Sequence, residues 1–492
     1  MAEIANQPAE SFIGKFTVLF GAARELWITF ALKFLNFAAY CITNYTLKLW
    51  LSSEFHYSDQ QALGIVAMWS VSMTIVTLLV GSLTDAIGLR RTFFLGTWVC
   101  LVARGVMIFA ASPWSALTFG LFPLAVGEAL GTPVLVAAVR KYSTTRQRSI
   151  SFSVAYMIMN VGSLAAGYIF DWVRHGLGEH GQLALPWLGT TITTYRTLFL
   201  VSFVIEAAML PLLSFIRRGV EVTDEGVKVT PPPPRAAGVN FLDSFFNSVR
   251  DSAKTTVGLF RELFEEKEFY RLLAFLLLIA FLKLIFMQMY YVFPEFGIRE
   301  LGAGAPVGKL WAINAWFVIV LVPIVGALTQ RFPAYGMVTL GGIISAASVF
   351  IMALPTVWFQ GLADGGFGQW LGHQYLGVVG AVNPYYVMIA LFVILLSFGE
   401  AFYSPRVYEY ASAIAPKGQE ASYGAFSYVP FLLAKLLIGT FSGTLLATYC
   451  PAVGPRHSGT MWLFVALTAS VAPVGLIALR KLIRVHEAGR AT

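Results

Sequence analysis

Lys33, Asn36, Tyr40, Asn44 and Lys48 recur every three or four residues inside one apolar stretch. That spacing places all five on one face of a helix. Such a stripe lines a wet cavity or forms a seam of helix-to-helix hydrogen bonds, with Lys48 at its end as an interface anchor. Arg104, Glu128, Lys283, Glu400 and Lys435 also stand singly inside apolar runs. A charge at the centre of a bilayer costs about 2.5 to 3.5 kcal/mol, so each of them marks a candidate functional site. A carboxylate that passes between an apolar setting and a cation takes up and releases a proton as it does so. Glu400 and Glu128 are therefore the proton-carrying candidates, with Lys33 and Lys283 as possible partners, while Arg104 and Lys435 read as structural pairing or snorkelling.

The elements that must position these groups are membrane spans. Of 492 residues, 57% are hydrophobic and 12% charged, more apolar material than a soluble core can absorb. About 20 apolar residues cross a bilayer, and twelve windows of that kind are legible: near 26–51, 61–83, 93–111, 116–139, 149–172, 195–216, 269–293, 307–331, 335–354, 384–408, 423–448 and 459–482. No secretory signal peptide is expected. The net charge of +8 comes from short basic runs between spans, which fits membrane orientation better than nucleic acid. With a cytoplasmic N-terminus, Arg90, Arg91, Arg140, Lys141, Arg217, Arg218, Arg480 and Lys481 fall inside, and only scattered bases such as Arg174 and Arg456 fall outside. Both termini are then cytoplasmic.

Five parts follow: a cytoplasmic N-terminal segment (1–25), a six-span bundle (26–216), a cytoplasmic linker (217–267), a second six-span bundle (268–484) and a tail (485–492). The linker holds the polyproline run Pro231 to Pro234, then apolar and charged residues from Phe241 to Phe264 at helical spacing, expected as an amphipathic helix on the inner leaflet. The interval 355–383, with Trp358, Gly365, Gly366 and Trp370, reads as an interfacial loop. Cys41, Cys100 and Cys450 imply neither a disulfide framework nor a metal site. No nucleotide loop, metal-ligand cluster or nucleophile motif points to an enzyme or a cofactor.

Between the second and third spans stands Gly81-Ser82-Leu83-Thr84-Asp85-Ala86-Ile87-Gly88-Leu89-Arg90-Arg91. Gly88 permits a tight turn, and Asp85 can accept hydrogen bonds at a helix end and pair with the arginines. The segment resembles the signature loop of the major facilitator superfamily, G-x-L-x-D-x-x-G-R-R, with Leu89 replacing one common base. The resemblance implies that Asp85, Arg90 and Arg91 form a gating latch, remade on each cycle. The alternative is that the arginines only anchor the inner face.

Two further stretches resemble the proton-dependent oligopeptide transporter family. Phe152 through Gly167, with Tyr156, Asn160, Gly162, Ser163 and Leu164, is similar to its fifth-span F-x-x-x-Y-x-x-x-N-x-G-[SA]-L. Ser397-Phe398-Gly399-Glu400, followed by Ser404-Pro405, Ala415-Pro416 and Gly424, is similar to its tenth span and the loop after it, and Asn314 matches its eighth-span asparagine. The resemblance implies that Glu400 meets the substrate amine and couples protons, that Asn160 and Asn314 bind substrate backbone, and that Tyr40 is a first-span site tyrosine. The departures are specific. Where the family carries E-x-x-E-R, this chain reads Lys33-Phe34-Leu35-Asn36-Phe37, and the family's fourth-span lysine before proline is Thr132. Acid and base have changed places, with Lys33 in the first span and Glu128 in the fourth. Met287 and Gln288 stand near the place of a seventh-span glutamate.

The expectation is an all-α membrane protein with twelve transmembrane helices in two pseudo-symmetric six-helix bundles, a monomer in the cell inner (plasma) membrane. It would be a proton-coupled secondary transporter of a small peptide-like or amino-acid-like solute bound by Lys33, Asn36, Tyr40, Asn160, Lys283, Gln288, Asn314 and Glu400. An uncoupled facilitator, a proton-antiport exporter and a transporter-like receptor are the alternatives.

Overall fold

Lipid offers backbone groups no hydrogen-bond partner, so each apolar stretch must satisfy its own as a helix. The computed structural model describes residues 17–229, 264–329, 332–414 and 429–484, together with residues 250, 254 and 258. The spans are α1 (Arg24–Phe55), α2 (Asp59–Ile87), α3 (Leu89–Phe109), α4 (Phe122–Lys141), α5 (Thr145–Leu177) and α6 (Thr194–Ala207, continued by Met209–Phe215) in the first half. The second half has α7 (Lys267–Tyr291), α8 (Val307–Leu328), α9 (Ala334–Ile351), α10 (Pro384–Ile414), α11 (Val429–Leu437, continued past a π-helical turn by Gly443–Tyr449) and α12 (Ser458–Ala478). Ten candidate spans meet the length and apolarity a membrane crossing needs among the described residues, and α2 and α11 complete the set.

Local chemistry starts and stops these helices. Ser58 and Gln61 form a reciprocal capping box at the start of α2, with bonds of 3.3 and 3.1 Å, and Thr144 and Gln147 do the same for α5. Gly88 ends α2 at φ +85°, a conformation that favours glycine and lets the chain reverse directly into α3.

The packing is two-fold. In the first half α1 packs on α5 and α6, and α4 on α2 and α3, with α3 also on α6; in the second, α7 packs on α11 and α12, and α10 on α8 and α9, with α9 also on α12. Adding six to each number converts one list into the other. The halves meet through α5 on α8, α2 on α11 and α1 on α7, a set the same operation maps onto itself. Such parallel repeats are related by an axis along the membrane normal, with the site between them. Trp98, Val102, Trp316, Val320, Val474 and Ile477 are at least half exposed on the outside, as lipid-facing side chains must be.

Several elements depart from the sequence expectation. The interval 355–383 is helical rather than a loop: Thr356–Phe359, Gln360–Asp364, Gly366–Gln369 and a π-helical Trp370–Leu376, with Phe359, Ala363, Leu371 and Leu376 buried. Two antiparallel hairpins add to the expected helices. β1 (Gln182–Leu185) pairs with β2 (Thr190–Thr193) between α5 and α6, and β3 (Val220–Thr223) pairs with β4 (Gly226–Val229) after α6. Strands this short give little alternation to read. The polyproline run and most of the amphipathic segment of the linker lie outside the described residues. Below, the linker face is the side on which α6 runs into residues 216–266, and the distal face is the opposite side.

Candidate functional site

Glu400 occupies the centre. Its Oε2 accepts from Asn314 Nδ2 of α8 at 2.9 Å and its Oε1 from the Tyr156 hydroxyl of α5 at 3.3 Å. One carboxylate of α10 thus holds both halves together. Asn314 is itself fixed by a 3.0 Å bond to Ser397 Oγ, one turn before Glu400 on the same helix. Lys283 of α7 acts on Glu400 electrostatically, while its ammonium donates to Ser404 Oγ at 3.5 Å and lies 4.9 Å from the Tyr403 ring centroid. In the sequence Tyr156 has no role beyond its place in the motif.

Tyr40, Asn44 and Lys48 of the first-span stripe face the other half. Asn44 Oδ1 accepts from the Tyr291 hydroxyl of α7 at 2.5 Å, which is also bonded to Ser70 of α2 at 3.1 Å, and Tyr40 lies beside Tyr291. Lys33 has the Phe37 ring as its neighbour, 5.9 Å away, and no hydrogen-bond or ion-pair partner among the described residues. Lys33, Asn160, Asn314 and Glu400 keep 7 to 8% of their surface accessible although they lie deep inside the molecule, so they border a narrow space between the halves. Asn160 Nδ2 is bonded to the carbonyl of Tyr156 on its own helix at 3.0 Å.

Three of the residues expected at the site sit elsewhere. Asn36 lies against Gly131 of α4, inside its own half. Gln288 is drawn into the seam of α7 with α11, donating to Ser442 Oγ at 2.5 Å. Glu128 does not pair with Lys33: its Oε1 accepts from Arg104 Nη2 at 2.5 Å, and the same guanidinium reaches Glu206 of α6 at 3.3 Å and Thr43 of α1 at 3.4 Å. Arg104 is fully buried, and a guanidinium with two carboxylates ties α3, α4, α6 and α1 into one unit.

The distal face is clasped shut by charged groups whose pairing the sequence does not reveal. Lys48 of α1 pairs with Asp59 of α2 and Glu295 of the short helix Phe293–Leu301, both at 2.7 Å. Arg299 of that helix holds Asp59 with two bonds, 2.8 and 2.9 Å, and Glu295 with one of 2.9 Å. The four charges alternate in sign around a closed, neutral ring, with two members from each half. Beside it, Asp171 of α5 caps α8 across the interface, accepting from the Gly308 and Lys309 amides at 3.0 and 2.6 Å. Arg174 bonds Asp171, Glu179 and the Ala305 carbonyl, and Glu179 in turn accepts from the Gly304 amide. This clasp brings α5 and α8 so close that a Cβ on Gly167 would lie 2.5 Å from the Gly308 carbonyl. Lys48 is thus more than an interface anchor, and Arg174 more than a scattered outer base. The signal that points to them is alternating charge at the distal ends of three spans, with Glu295 and Arg299 four residues apart.

On the linker face, the motif arginine Arg90 donates to the carbonyls of Leu213 and Ser214, both at 3.2 Å, which ties α3 to the last turn of α6. It therefore caps a helix within its own half rather than bridging the halves. Arg91 is exposed, and the side chain of Asp85 lies outside the described residues. Cys41, Cys100 and Cys450 are free and buried.

Two six-helix bundles related by a two-fold axis, with buried polar groups between them and a clasp on one face, define a polytopic membrane transporter. The chain belongs to the Major Facilitator Superfamily, whose model matches residues 29–372. No curated protein sequence matches it. Among solved structures it is similar to a proton dependent oligopeptide transporter from work on substrate recognition, with a TM-score of 0.67, 16% identity, and 94% of this chain and 98% of that one covered. It is also similar to an auto inhibited peptide transporter of the POT family (0.65, 16%, 96% and 99%) and to a POT family transporter in complex with 5-aminolevulinic acid (0.64, 16%, 97% and 99%). At that identity the likeness is one of fold.

Proposed function

We propose that the chain is a proton-coupled secondary transporter of a small peptide-like or amino-acid-like solute, working by alternating access in the cell inner (plasma) membrane. The observation that carries this reading is the position of Glu400, held by Tyr156 from one half and Asn314 from the other. A carboxylate shared by two moving halves changes partners when they separate, and a buried carboxylate that loses its donors takes up a proton or a cation. An amine of the solute and a proton compete for the same oxygens, which couples their movements. The basic runs support a cytoplasmic linker face, and the closed distal clasp supports access to the site from that side. The similar transporters that handle oligopeptides or bind 5-aminolevulinic acid agree with a solute carrying an amine and a carboxylate.

The test is transport by purified protein in liposomes. Glu400→Gln should abolish accumulation against a gradient under an imposed proton gradient, yet retain counterflow exchange, because a permanently neutral side chain removes the proton step and not the path. Wild-type accumulation by that variant would remove Glu400 from the mechanism.

A further inference from the structure

Two buried ammonium groups at the interface of the halves meet no carboxylate among the described residues. Lys33 has an aromatic ring beside it and no charged or hydrogen-bonding partner among the described residues. Lys435 of α11 donates across the interface to Thr74 Oγ1 of α2 at 3.3 Å and pairs with no acid among the described residues. They share a depth. Lys48 and Asp59 touch at the distal ring, and Lys33 and Thr74 each lie fifteen residues further along their helices, roughly 22 Å at 1.5 Å per residue.

The described acids able to neutralise these lysines are committed elsewhere. Glu128 and Glu206 are held by Arg104, Asp171 and Glu179 by Arg174 and the start of α8, and Asp59 and Glu295 by the distal ring. That leaves Glu400 as the carboxylate between the halves in the described central layer, and it is satisfied by neutral donors, Tyr156 and Asn314. A buried charge without a partner is costly, so the missing counter-charge arrives with the ligand.

Building on the reading of this interface as the solute site, we infer that the solute is a net anion: an amino-acid-like compound with more acidic than basic groups, whose two oxyanions pair with Lys33 and Lys435. A zwitterion of equal size leaves one ammonium unpaired. Because an ammonium is a point charge without the fixed fork of a guanidinium, it accepts a carboxylate or a phosphate alike.

The experiment measures thermal stabilisation of the purified full-length chain by Ala-Glu, Ala-Gln, Ala-Lys, Ala-phosphoserine and glutarate, converted to relative affinity. Ala-Glu, Ala-phosphoserine or both should bind roughly tenfold or more tightly than Ala-Gln, with Ala-Lys weakest; which of the two acids leads identifies the oxyanion. Lys33→Gln should weaken the acidic peptides more than Ala-Gln and so erase that preference, and Lys33→Arg should restore it. Lys435→Gln supplies an independent reading if a Lys33 variant fails to fold. Equal affinity for Ala-Glu, Ala-phosphoserine and Ala-Gln, or equal weakening of all three by both substitutions, overturns the inference and leaves a peptide-like transporter standing. Lys33-dependent binding of glutarate without binding of any peptide keeps the anion and removes the amino-acid-like reading. Binding by none of the five overturns both.

Discussion

Asp59→Asn removes one corner of the distal ring, and the structure sets the size of the effect. The carboxylate receives three charge-assisted contacts, two from Arg299 and one from Lys48, at 2.7 to 2.9 Å. An amide keeps the shape but turns a neutral ring into one with net charge +1, leaving two cations to share Glu295. Breaking a fully buried pair costs about 3 to 5 kcal/mol, and an exposed pair contributes about 0 to 1 kcal/mol. With side chains 1 to 15% exposed the ring lies between these limits, nearer the first, and about 2 kcal/mol is a fair discount. That shifts the balance of distal-closed to distal-open about 30-fold. The chain carries its own reporter. Cys450 is buried at the distal face, and its carbonyl accepts from Arg299 at 2.6 Å. A membrane-impermeant maleimide should therefore label Cys450 in nanodiscs up to about 30-fold faster in Asp59→Asn than in wild type, with labelling located by mass spectrometry. Glu295→Gln should act similarly, and the double variant should fall short of the sum because both belong to one ring. Labelling at the wild-type rate in a variant with an unchanged melting temperature would refute the assignment of the ring as a clasp.

Gly167→Ala places a methyl group against the Gly308 carbonyl and should hold the distal face open, seen as faster Cys450 labelling with reduced transport; unchanged labelling and transport would mean that α5 and α8 do not close there. If the motif acts as a gate, Asp85→Asn should slow transport while leaving substrate affinity nearly intact; equal loss of both would count against a latch. The contribution of Glu179 to the distal clasp should be insensitive to pH from 8 to 5. Burial alone would raise the Glu179 carboxyl, but its bonds to Arg174 and Tyr195 hold it below its ordinary value of 4.5. A group depressed on closing contributes above its ordinary value and loses that contribution only as pH falls through the lower one. An effect of Glu179→Gln on Cys450 labelling that fades between pH 7 and 5.5 would contradict this.

The span architecture was legible because a bilayer leaves a long unbroken apolar signal, and the stripe from Lys33 to Lys48 showed its inward face because helical periodicity survives in a membrane. Glu400 and Asn314, which their motifs single out, lie in contact, and only the fold shows the Tyr156 hydroxyl on Glu400. What stayed hidden was pairing. Glu128 and Lys33 look complementary in sequence, but Arg104, 24 residues before Glu128, is the nearer cation once α3 packs on α4. The distal charges lie where spans end and ionisable residues are ordinary, so the alternating charge there marks a cluster without separating a solvated Arg299 from one holding two acids. The helices of 355–383 were lost to their glycines, which lower helix propensity by about 1 kcal/mol each and are overridden here by the burial of Leu371 and Leu376.

Which face opens next follows from where the bonds are. The inter-bundle hydrogen bonds among the described residues lie at mid-depth or on the distal side: Tyr156 to Glu400 and Thr74 to Lys435 in the middle, the ring and the α8 cap beyond them. The Arg104 cluster, by contrast, ties α1, α3, α4 and α6 together within one half, and the Arg90 bonds tie α3 to α6. Each half is thus cross-braced internally while the ties between halves concentrate at one face, the arrangement that favours rigid rocking over bending of single helices. Rocking about the level of Glu400 would pull the ring and the α8 cap apart together, so their contributions oppose distal opening jointly. The two-fold relation places α2 with α11 and α5 with α8 on equal footing, so variants at Gly167 and at Gly439, where α11 meets Ala67 of α2, should shift the same equilibrium in the same direction. Opposite effects on Cys450 labelling would mean that the two seams move independently and that the halves do not rock as units.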